Sequence, residues 1–212
     1  MINFGSMFLN CERFNTSISG WDVGNAIAVN AMFANATSFS QDLSSWQVGN
    51  VRFFQGMFFQ ASSFSSDLSL WDVGAGENFR QMFILAETFD SDLSLWDVSR
   101  ATDMGYMFAG ATQFSSDISA WNVAQVTDMQ FMLAFSLRFN SDISGWNVAN
   151  VATTAGMFQF SGSFNQNLCA WGNVLGSTTN VTSMFANTGC LVRGDPDFTR
   201  MPPGPFCASC AD

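Results

Sequence analysis

The sequence predicts an α/β fold: a right-handed solenoid with short parallel strands on one face and short helical or 3-10 turns on the other. Two observations predict it. Apolar residues recur at a fixed period of 25 residues along nearly the whole chain, and a period of 20–50 residues is the signature of stacked repeats. Within each period the apolar spacing changes from steps of two to steps of three and four, which distinguishes strand from helical turn.

The columns of the repeat are explicit. Phe occupies positions 14, 39, 64, 89, 114, 139 and 164, and Ile or Leu follows four residues later. Trp recurs at 21, 46, 71, 96, 121, 146 and 171, with Val two residues after each of the first six. Met7, Met32, Met57, Met82, Met107, Met132 and Met157 form another column, with a small residue four positions on. Residues 1–13 are half a repeat, residues 14–163 form six regular repeats, and residues 164–190 form a longer, irregular one. A Cys/Pro-rich segment, 191–212, follows and is expected to cap the stack.

One repeat justifies the two faces. The stretch "LSSWQVGNV" (43–51) reads L-x-x-W-x-V-x-x-V, the spacing of a leucine-rich repeat with Trp at the second leucine. Its W-x-V alternation reads as a strand with both side chains inward. The stretch "ATDMGYMFAGA" (101–111) places apolar residues three and four apart, which reads as helix or 3-10 turns. A single repeat cannot bury its apolar side, so neighbouring repeats must cover it. The recurrent Trp is therefore read as a core spacer in phase with the Ile/Leu and Val columns.

The repeat "MFAGATQFSSDISAWNVAQVTDM" (107–129) closely resembles the BspA-like leucine-rich-repeat surface proteins. The resemblance runs from residue 1 to about 190, departing at Leu133 and at two insertions in the last repeat. It implies a cell-surface or secreted protein concerned with adhesion or recognition, without a catalytic site and without a cofactor.

Composition narrows the function classes. The net charge is −10, the seven basic residues are all Arg, and there is no His. An acidic chain without a basic patch is a poor ligand for nucleic acid, whose binding depends on phosphate neutralisation. The lack of His removes histidine-based triads and the commonest metal ligand. No apolar run is long enough to span a bilayer as a helix, so no membrane insertion is expected of this chain. The opening "MINFGSMFLN" shows no export signal and reads as mid-repeat, so the natural N-terminus is expected to lie upstream. A monomer binding an unidentified protein or glycan is expected.

Three columns carry candidate chemistry. Beside Trp on the expected strand face, Leu70, Asp72, Leu95, Asp97, Asn122 and Asn147 form an apolar step and a carboxylate-to-amide row. In repeat proteins such a face is the usual binding surface. The pair Asp72 and Asp97 also suggests, more remotely, a carboxylate-based hydrolase. A second column, Asp42, Asp67, Asp92, Asp117 and Asp142, needs either backbone N–H partners at turns or a hard cation such as calcium. Calcium would make the chain a metal-dependent structural solenoid. The Ser column at 19, 44, 69, 94, 119 and 144 raises ice binding as a minor alternative.

Of five cysteines, Cys11 falls in the small-residue column and is expected to be a free core thiol. Cys169, Cys190, Cys207 and Cys210 are disulfide candidates, with three pairings open. Asn15, Asn35 and Asn180 begin N-glycosylation motifs. Disulfides and these motifs fit an extracellular or cell-surface location.

Overall fold

The computed structural model describes residues 2–210. The expected cap segment ends at 212, so residues 211 and 212 lie outside the described residues, as does the first residue of the expected repeat region. The chain forms a stack of coils in 25-residue register. Parallel backbone bridges join Ala28 to Phe53, Phe53 to Asn78, Asn78 to Asp103, Asp103 to Asp128, and Asp128 to Thr153. The next, Thr153 to Asn180, spans the longer last coil.

The α/β expectation is wrong. Among the described residues there is no α-helix. One 3-10 helix, Cys169–Asn173, lies on the last coil. Among the described residues only two short strands occur, β1 (Ile2–Asn3) and β2 (Ala26–Ala28), paired in one parallel sheet. The helical face and the strand face both fail, for separate physical reasons.

The segment after each ladder bridge divides its N–H groups between two partners. In the coil around Met57, Met57, Phe59 and Ala61 donate three residues back, to Phe54, Gly56 and Phe58. The intervening Phe54, Gly56, Phe58 and Gln60 donate to Asn78, Arg80, Met82 and Ile84 of the next coil. An α-helix would consume all of these groups internally through i to i−4 bonds. Two left-handed residues per coil prevent it, at Gly56 (φ 61°) and Gln60 (φ 55°) in this coil. Steps of three and four thus arise from consecutive tight turns, each tied to the neighbouring coil.

The W-x-V stretch is also a turn. Trp71 N–H bonds back to Leu68 O at 3.0 Å, and Asp72 Oδ1 accepts from Gly74 N–H at 3.1 Å. Cross-coil bonding here runs through side chains. The Trp71 indole N–H donates to Leu43 O, and Trp96 to Leu68 O, both at 2.9 Å.

The core is continuous along the stack. Trp46, Trp71, Trp96, Trp121, Trp146 and Trp171 are all buried. The Phe column stacks ring on ring: Phe39–Phe64 at 5.9 Å, Phe64–Phe89 at 6.0 Å and Phe89–Phe114 at 6.2 Å. Trp21 is partly exposed, because no coil lies against its outer side among the described residues. Cys11, expected in the core, is free and exposed for the same reason. At the other end, buried Phe206 accepts the Leu168 N–H through its carbonyl and closes over the last coil.

Candidate functional site

The Trp-side turns place the expected binding residues on an open surface rather than on a strand. Leu70 and Leu95 lie in adjacent coils and are 82% and 79% exposed. They border a shallow depression of about 310 Å³ with Ser69, Trp71, Asp72, Val73 and Asp97. The polar row also shapes the turns themselves. Asp97 Oδ1 accepts from Ser99 N–H at 3.0 Å, Asn122 from Ala124 and Asn147 from Ala149, both at 3.2 Å. Hydrogen bonds from the Ser99 side chain and backbone hold the Asp97 carboxyl below its ordinary value.

The second acidic column caps turns. Asp42, Asp67, Asp92, Asp117 and Asp142 each accept through Oδ1 the N–H of the Ser two residues on, at 2.8–3.0 Å. Those backbone donors come first among the causes that lower all five carboxyls. Asn167 does the same for Cys169 N–H at 2.9 Å, so an amide suffices. Among the described residues no three His, Cys, Asp or Glu side chains converge as metal ligands.

Sequence reasoning missed a serine brace between coils. Ser66 Oγ accepts the Leu43 N–H at 2.9 Å and contacts Asp42 Oδ1 at 3.4 Å. Ser91 repeats the arrangement with Leu68 and Asp67, at 2.8 and 3.3 Å. Ser116 and Ser141 take the N–H groups of Leu93 and Ile118. The signal was available as a Ser directly before the Asp of the following repeat.

Sequence reasoning also missed an apolar groove on another side of the stack. Its walls are two columns of left-handed residues. One wall holds Tyr106 (φ 59°) and Phe131 (φ 51°), stacked at 5.1 Å. The other holds Leu85 (φ 56°) and Phe135 (φ 57°), continued by Phe160 (φ 61°), whose ring stacks on Phe135 at 4.7 Å. Left-handed backbone costs a side-chain-bearing residue about 1–2 kcal/mol, and bulky residues are rare there. Elsewhere these same columns mostly carry small or turn-forming residues, such as Ser6, Gly56 and Gly156 in the first and Asn10, Asn35 and Gly110 in the second, with Gln81 and Gln60 as exceptions. Burial does not offset the strain at Leu85, Phe135 and Phe160, which remain 38%, 47% and 41% exposed. Beside Tyr106, half-buried Arg80 pairs with Asp128 at 2.8 Å and Asp103 at 3.4 Å and lies over the Tyr106 ring at 5.3 Å.

The four candidate cysteines form Cys169–Cys210 and Cys190–Cys207, and both bonds tie the tail to the last coil. Two disulfides fit an extracellular or otherwise oxidising environment. No helix among the described residues is long and apolar enough to cross a membrane. Asn15 and Asn180 are exposed, whereas Asn35 is half-buried and donates to Asn10 Oδ1 at 2.6 Å.

A family described as "Mycoplasma protein of unknown function, DUF285" matches this chain at residues 1–96 and 77–193. No curated protein matches it.

Proposed function

The chain belongs to the DUF285 family, and from the geometry of its Trp-side turns we propose that it is a non-catalytic recognition module of a cell-surface or secreted protein. The BspA-like character of its repeat supports the surface setting, as do the two disulfides. The ligand is a protein segment that presents apolar and basic side chains. One observation carries this reading: two neighbouring coils place a fully displayed leucine, Leu70 and Leu95, beside an aspartate, Asp72 and Asp97. The same position in other coils holds Gly20, Ser45, Ala120 or Gly145, so the fold does not require leucine there. An apolar pair beside two carboxylates complements such a segment in both contact and charge.

A non-catalytic role is favoured over carboxylate hydrolysis because Asp72 and Asp97 each commit an oxygen to a turn and border only a shallow, open depression. The test is an array of extracellular proteins and glycans probed with the wild-type chain and with a Leu70→Ser/Leu95→Ser variant. Expected are saturable protein ligands whose binding falls at least tenfold in the variant and weakens with added salt. An array with no saturable ligand, with glycans only, or with ligands indifferent to the variant overturns the reading.

A further inference from the structure

We propose that the apolar groove is a binding site for a small amphiphile with an apolar body and a cationic head group. The site is distinct from the Leu70/Leu95 face and does not depend on its function. The groove encloses about 440 Å³, within the range of small-molecule pockets. It runs along the stacking direction between the Tyr106–Phe131 wall and the Leu85–Phe135 wall, over a floor of Ala109 and Ala134. The same column holds Phe59 and Ile84 on one side and Gln159 on the other, and where it is small again, at Ala34, the flanking left-handed residues are Ala31 and Asn35. Small floor residues therefore coincide with large, left-handed wall residues only here. Gly110 opens the wall, since a side chain there would meet Leu85 Cδ2 at 2.6 Å.

The choice of head group follows from charge. Glu87 is the one charged side chain lining the groove. Among the described residues the ion pairs are Arg52–Glu77 and Arg80 with Asp103 and Asp128, so Glu87 has no cationic partner. The net charge of −10 acts in the same sense.

Folding does not require a bulky residue at the Phe131 wall position, because other coils fold with glycine there. Gly56 and Gly156 occupy the column of Phe131 at similar φ, and Phe59 occupies the column of Ala134. Phe131→Gly and Ala134→Phe each introduce a residue that another coil already carries in that column, and a cooperative melting transition for each variant checks that the fold is kept.

The experiment is calorimetric titration of the full chain, near pH 7, with octylammonium and with octanoate as the chain-matched anion. Octylammonium should bind saturably and at least tenfold more tightly than octanoate. Ala134→Phe, which fills the floor, and Phe131→Gly, which removes a wall, should each weaken binding at least tenfold. Glu87→Gln should reduce the preference for the amine to less than threefold. The melting temperature of Phe131→Gly should equal or exceed that of the wild type. The Leu70→Ser/Leu95→Ser variant should bind octylammonium as the wild type does. Lack of saturable binding, preference for octanoate, or unchanged binding in Ala134→Phe overturns the proposal. So does a lower melting temperature for Phe131→Gly, which would make Phe131 a packing residue. A dimer in sedimentation that Ala134→Phe dissolves, without amine uptake by the wild type, would assign the groove to a second copy of the chain instead.

Discussion

Substituting Ser66 by Ala removes one oxygen from a polar stretch, "SSFSSDLS", in which every serine looks alike in the sequence. Ser66 is 8% exposed, and its Oγ is the partner of the Leu43 N–H at 2.9 Å. Alanine leaves that N–H inside the stack without an acceptor. An orphaned buried donor costs about 1–3 kcal/mol. Losing the contact to Asp42 adds little, because that carboxylate keeps its bond from Ser44 N–H. The expected loss is about 2 kcal/mol. At ~2–4 °C per kcal/mol for a chain of this size, the melting temperature should drop by roughly 4–8 °C. The neighbouring Ser65 is exposed and supplies the control: Ser65→Ala should stay within about 0.5 kcal/mol. Urea denaturation followed by Trp fluorescence reports both, since indoles line the core from Trp46 to Trp171. Equal stability of the two variants would refute the brace. So would recovery of Leu43 N–H protection in hydrogen exchange of Ser66→Ala, which would show that another acceptor takes over.

Two further outcomes follow from the caps and the tail. The carboxyls of Asp67, Asp92, Asp117 and Asp142 lie below their ordinary value in the folded chain. Their contribution is therefore complete above the unfolded value of about 3.9 and disappears as pH falls through the folded values. Thermal melts should be flat from neutral pH to about 5 and decline below about 4; converting all four to Asn, which still caps at position 167, should flatten the acid limb, and an unaltered profile would refute the cause. Reduction of Cys190–Cys207, separated by 17 residues, should cost about 3 kcal/mol through loop closure and expose the tail first. Limited proteolysis with and without reductant checks this, and cleavage that begins within the central coils would contradict it.

The Phe, Met and Trp columns were legible because each buried column is filled by one residue type in nearly every coil, and a stacked core demands that. The secondary structure was less legible. Steps of three and four imitate a helix, and only the backbone conformation at two positions per coil distinguishes them. Those positions are advertised as turns where they hold Gly56, Gly110, Asn10 or Asn35, and disguised where they hold Leu85, Tyr106 or Phe135. Comparing coils within the column would have revealed the left-handed geometry. The W-x-V alternation misled because burial of Trp and Val also suits a turn capped by Asp or Asn, with the indole N–H replacing the backbone ladder. The four paired cysteines were legible as a set. Their connectivity depends on where the tail crosses the last coil, which spacing does not determine.

A repeat chain contains its own controls. Six coils solve the same folding problem, so a residue that departs from its column where the fold gains nothing has another reason to be there. Two kinds of departure stand out. Leu70 and Leu95 expose apolar surface where other coils place Gly, Ser or Ala. Leu85, Tyr106, Phe131, Phe135 and Phe160 accept a strained backbone where other coils mostly place Gly, Ser or Asn. Both kinds fall between residues 70 and 160, in coils that each have a neighbour on both sides. Stability alone does not generate this distribution, because strain and exposure would then be removed first in the middle of the stack, where each coil has two neighbours. A stack that carries its costliest surface residues at its best-supported coils is arranged to present them on a rigid support, which preserves binding geometry.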